Sequence, residues 1–208
     1  MLSRLRLRRD DSQLGVRLAE LAGLVGEGAQ LLAESLDADA DSREATAQRL
    51  HEVDHRAEVA AHAVLRALTA SFVTPFDRAD VYRVCWSMRT CVASMEAVGD
   101  ELHLYALGEL PATAPELVGV VVRAAEVTNQ AVGRLTAPAT LVDPWLELTR
   151  LVKQGGQVHR RLLAEVTAAT SDPGLLTRHV AVAQSMRRAV ESFADVADAL
   201  QTVAVRES

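Results

Sequence analysis

Apolar residues recur along the chain at alternating spacings of three and four, the period of one face of an α-helix and not the strict alternation of a strand. Turn chemistry cuts this pattern into six segments, so the sequence predicts an all-α protein of six long helices. The first is expected from about Asp11 to Leu36 on Leu14, Leu18, Leu21, Val25 and Leu32, and the second from about Arg43 to Ser71 on Leu50, Val53, Ala57, Val64 and Leu68. Thr74, Pro75, Phe76 and Asp77 read as the start of a long third helix: Thr74 as cap, Pro75 at the first helical position, Asp77 at the positive helix end. It carries Val84, Met88, Cys91, Met95, Val98, Leu102 and Tyr105, with Gly108 as the expected left-handed stop. Thr113, Pro115 and Glu116 open a fourth helix running to about Leu135, Asp143 and Pro144 a fifth, and Asp172 and Pro173 a sixth.

Sliding the chain against itself by 98 positions lays Ser87, Met88 and Arg89 on Ser185, Met186 and Arg187. The same shift matches Val92, Ser94, Val98, Asp100 and Leu102 with Val190, Ser192, Val196, Asp198 and Leu200, and Pro75 with Pro173. Two unrelated amphipathic helices would share apolar periodicity, but not these Ser, Arg and Asp positions. The expected organisation is therefore a basic arm at 1–10 and two related three-helix units, 11–110 and 111–208, packed as one bundle.

Composition supports helices. Apolar residues make up 49% of the 208, yet aromatics only 3%, leaving Ala, Val and Leu to fill a core between closely approaching helices. Cys85 and Cys91 fall six apart in one helix, about 9 Å along its axis, too far for a disulfide. A cytoplasmic location is expected. The longest strongly apolar stretch, Leu117 to Val122, falls far short of the roughly 20 residues that span a bilayer. The formal charge of −6 argues against nucleic acid as a partner. Arg4, Arg6, Arg8 and Arg9 are followed by acid and not by an apolar stretch, so they do not read as a signal peptide. This arm is either a solvated tip or a contact with a partner or an anionic membrane surface, placing the protein peripherally at the inner face.

The basic opening MLSRLRLRRDDS, the segment SFVTPFDRADVY and the closing FADVADALQTVAVRES, set in two three-helix units, resemble the PhoU-like accessory proteins of Pit phosphate transporters. The stretch centred on Thr74, Pro75, Phe76, Asp77 and Arg78 is the most specific carrier. The resemblance implies a PhoU-like bundle that acts as a cytoplasmic accessory or regulator of a Pit-type inorganic phosphate transporter through protein contact, and not as an enzyme. Relatives are often oligomeric, so a homo-oligomer is one expectation.

The resemblance also implies acidic pairs four apart on the second and third helices of each half, which in PhoU proteins bind iron or zinc; carboxylates at that spacing share a helix face. Here one pair stands, Asp54 and Glu58, with His62 a turn further. The matching third-helix positions hold Arg89 and Ala93; the second half offers Val152 and Gly156 on helix five and Arg187 and Glu191 on helix six. No metal is expected; Asp54, Glu58, His62 and Glu191 are the residual candidates for a metal-responsive alternative. Arg89 is expected to lie against Asp54 and Glu58, its guanidinium replacing the metal's charge, and Arg187 is its counterpart. The plainer reading is an exposed ion pair worth under about 1 kcal/mol.

Other chemistry is sparse. Glu52 and His55 have the Glu-x-x-His spacing of di-iron bundles, but no second copy exists. His103 and His159 read as polar flank residues, and no phosphate loop or nucleophile elbow is present. Trp145 is expected in the core and Trp86 beside the apolar seam; Gly155 and Gly156 predict close helix approach or a kink. A helical scaffold for another partner is the remaining alternative.

Overall fold

The computed structural model describes residues 2–70, 77–108 and 110–206, and within them the side chains of 13–39, 42–69, 77–108 and 110–206. The described residues form six helices and no strand: α1 (Leu2–Asp37), α2 (Ala40–Ala70), α3 (Arg78–Leu104), α4 (Thr113–Val132), α5 (Val142–Ala169) and α6 (Pro173–Arg206), with a short 3-10 turn at Pro138–Leu141. The expected arm at 1–10 continues α1 as helix from Leu2, nine residues before the start the apolar pattern predicts. Its arginine side chains, and the predicted pair Thr74 and Pro75, lie outside what is described.

Each half is a three-helix unit in which every helix touches the other two, and the halves join through α3 against α6 and α1 against α4. These joining pairs are the ones that a 98-residue shift interchanges, so the junction is built from helices that correspond in the two halves. α1 and α2 run antiparallel, with Glu27 bonded to Arg56 and Glu34 to Arg49. α3 and α6 do too: Asp80 near the start of α3 meets Arg206 at the end of α6, while Arg178 near the start of α6 donates to the Tyr105 carbonyl just past α3, at 3.1 Å. One continuous apolar core runs through both halves, including Met88, Met95 and Leu102 of α3 and Met186, Phe193 and Leu200 of α6.

Small residues let these helices approach. A Cβ on Gly99 would collide with Leu50, and one on Gly155 with Val190. Of the two readings of the α5 glycines the structure favours close approach: the helix continues through both. Trp145 packs on the core half-buried, as expected, whereas Trp86 is exposed. Both cysteines are buried and free, and burial pushes their thiols up to about 12. They are packing residues, not nucleophiles.

Helix ends combine expected and unexpected chemistry. Asp172 accepts from the amides of Gly174 and Leu175 at the start of α6, as its sequence predicts. α3 begins at Arg78 with Asp77 as its cap, accepting from the Ala79 amide at 2.8 Å. At α4 the Thr113 amide and hydroxyl both donate to Glu165 of α5, so a neighbouring helix supplies the carboxylate that caps the end. The predicted left-handed stop at Gly108 is not where the chain turns: Ala106 carries the positive φ, +45°, and no described glycine does. A Cβ in that region costs about 1–2 kcal/mol, and the turn tolerates it because Leu107, the next residue, is pulled fully into the core. Ala106→Gly should therefore stabilise the protein by about 0.5–1 kcal/mol, the lost strain outweighing the gain in unfolded-state freedom. Urea denaturation checks this, and an unchanged or lower midpoint would refute it.

Candidate functional site

The sequence singles out the face shared by α2 and α3 in the first half and by α5 and α6 in the second. In the first half Arg89 reaches across from α3 and bonds Asp54 of α2, Nη2 to Oδ2, at 3.1 Å. The two side chains are only 21% and 18% exposed, so this is not the fully solvated ion pair of the plainer reading. Only one carboxylate oxygen is used; Asp54 Oδ1 is buried without a hydrogen-bond partner. Glu58 makes no ion pair with Arg89: it and His62, one and two turns along α2, face solvent. The expected two-carboxylate clamp thus reduces to one carboxylate.

In the second half the equivalent arginine finds a different acid. Val152 stands where Asp54 stands in the first half, and Gly156 where Glu58 stands. Arg187 lies over Gly156, where any Cβ would strike its guanidinium, and bonds Glu191 of its own helix at 2.6 Å. Glu191 replaces Ala93 in the repeat. Each half therefore keeps one arginine and one carboxylate, but the acid has moved from the neighbouring helix to the arginine's own.

Two histidines that the sequence does not mark as site residues lie beside these pairs. His51 Nδ1 lies 3.2 Å from Glu96 Oε1 across the α2–α3 face, and that hydrogen bond raises its affinity for a proton. His159, one turn beyond Gly155, is held in the opposite direction by burial and by the Arg187 charge, and its Nε2 has no partner. A His-to-acid spacing on separate helices carries no local signal, so only the packed structure brings His51 to Glu96. A separate cavity of about 630 Å³ opens at the α1–α2 turn. Its charged lining, Asp37, Asp39, Arg43, Glu44 and His103, has no convergent pair, and Arg43 is spent on the Leu107 and Gly108 carbonyls.

The metal that the resemblance implies does not fit these residues. Asp54, Glu58 and His62 share a helix face by spacing, but Asp54 turns inward onto Arg89 and Glu191 lies in the other half. Among the described residues no three His, Cys, Asp or Glu side chains group so as to hold a metal ion. Nor, among them, is any helix long and apolar enough to cross a membrane. No family model matches this chain, and no curated protein matches it.

Two outcomes follow from the geometry. Arg89→Ala strands the Asp54 carboxylate in a half-buried position and should cost roughly 1–3 kcal/mol, between the values for exposed and buried pairs. Replacing both partners, Arg89→Met with Asp54→Leu, should recover most of that, and an Arg89→Ala midpoint equal to that of the parent in urea would exclude the pairing. In an NMR titration His159 should lose its proton below the ordinary histidine range and His51 above it. His159 thus favours the fold fully above its unfolded value and less as pH falls through its native one, while His51 contributes below its unfolded value and loses that as pH rises through its native one. The reverse order would contradict the packing described.

Proposed function

We propose that this chain is an accessory or regulatory protein of a Pit-type inorganic phosphate transporter and works by helix-face contact on the cytoplasmic side, not by catalysis. The reading rests on the resemblance carried by Thr74, Pro75, Phe76, Asp77 and Arg78 within a duplicated six-helix bundle. The observation that carries its mechanistic half is the Arg89–Asp54 pair. An arginine fills the face where relatives gather acids around a metal, which supports an adaptor whose bundle needs no ion to neutralise that face.

Co-purification tests it: the transporter of the same cell, solubilised in mild detergent, should elute with this chain as a complex. Elution of the transporter without the chain, from membranes that contain both, would overturn the proposal. Metal analysis of the same dialysed sample separates the alternative, since stoichiometric iron or zinc would favour a metal-responsive protein built on Asp54, Glu58 and His62.

A further inference from the structure

An aromatic pair stands exposed on a chain that has few aromatics to spare. Tyr82 and Trp86, one turn apart on α3, are 45% and 46% exposed, and their rings stack nearly parallel with centroids 6.2 Å apart. They form one wall of a groove of about 280 Å³ between α3 and α6, whose opposite side presents Asp195 and Asp198. Neither carboxylate makes an ion pair among the described residues.

The duplication supplies a comparison for this groove within the same molecule. The 98-residue shift carries Tyr82 onto Val180, Trp86 onto Gln184, Asp195 onto Ala97 and Asp198 onto Asp100. Packing α3 on α6 therefore requires neither the aromatics nor Asp195. The equivalent groove also contains what the first lacks: Arg188, at the position of Thr90, lies 3.5 Å from Glu101, at the position of Ala199, and both bond Ser185. There the chain places its own guanidinium between α3 and α6. In the first groove that place is open, with ring faces and two carboxylates around it and the exposed Arg83 side chain at its edge, so the carboxylates outnumber the lining's one cation.

We infer that the Tyr82–Trp86 groove is a docking site for an arginine side chain presented by a partner protein. A guanidinium suits both walls, stacking flat on an aromatic face while its fork donates to carboxylates. The cavity has room for one such side chain and not for a helix. Aspartates at the rim would repel anionic lipid headgroups, so the chemistry favours a protein over a membrane. The inference gives the adaptor reading a particular surface, and it rests on that reading only in supposing that the partner is a protein.

The test uses the full chain and the tetrapeptide acetyl-Leu-Arg-Leu-Arg-amide, followed by NMR at the indole N–H signals of Trp86 and Trp145. The expected result is a saturable shift of Trp86 with Trp145 unmoved, stronger with the arginine peptide than with its lysine counterpart. Asp195→Asn with Asp198→Asn, both exposed, should leave the melting temperature unchanged and weaken binding roughly tenfold or more. No shift of Trp86, or the same shift in the double variant, would overturn the proposal. A Trp86 signal that moves with protein concentration alone would assign the groove to a second copy of this chain, and one that moves with phosphatidylglycerol vesicles would assign it to a membrane; either defeats the inference. Failure here leaves transporter co-purification intact, and failure there leaves the peptide result intact, so the two readings fall separately.

Discussion

Everything else in this molecule depends on the antiparallel seam between α3 and α6. Each helix gives a continuous apolar face to it and is buried there almost without interruption, from Val84 to Leu102 on one side and from Val182 to Val203 on the other. Because the two helices run antiparallel, each end of the seam pairs a helix start with a helix finish. At one end Arg206 reaches Asp80, whose side chain is only 3% exposed; at the other Arg178 reaches the free carbonyl of Tyr105. The two fastenings use different chemistry for one geometric need, a polar group left over where a helix terminates against its partner.

That arrangement explains why the charged faces drift while the frame holds. A half-buried arginine needs a carboxylate within reach, but it does not matter which helix supplies it. Arg89 takes Asp54 from α2, and Arg187 takes Glu191 from α6 itself, with Gly156 removing the side chain that would otherwise occupy its place. The paired acid stands on the neighbouring helix in one half and on the arginine's own helix in the other. Each arginine keeps one carboxylate partner on the outer face, away from the apolar side of the seam.

The fold was largely legible in the sequence because the signals that specify it are local and periodic. Spacings of three and four placed the helices to within a few residues at most ends, and the 98-residue repeat identified which helices would be equivalent. The end chemistry was legible where one residue serves its own helix, as Asp172 does. It was not where a neighbour intervenes: Glu165 caps α4 from α5, and Ala106 takes the strained turn because Leu107 must enter the core. The candidate site was half legible. Asp54 and Arg89 came together as the positions implied by the resemblance suggest, but the i, i+4 spacing placed Glu58 beside them as well. A helix face is wide, and whether a side chain at the next turn bends inward or outward is decided by what the opposing helix presents.

The groove between Tyr82 and Asp195 shows what duplication adds to such a reading. In a single-copy bundle, an exposed stacked pair one turn apart has a sufficient explanation as a local contact that steadies its own helix. Here the same seam is built twice, and the second copy accomplishes it with Val180 and Gln184 and fills the space with Arg188 and Glu101. The second groove thus packs α3 on α6 without the two rings or Asp195. The two ring faces and a carboxylate that makes no ion pair among the described residues, set about an open space with Arg83 at its edge, are therefore not needed for that packing, and their chemistry is complementary to the very group the other groove contains.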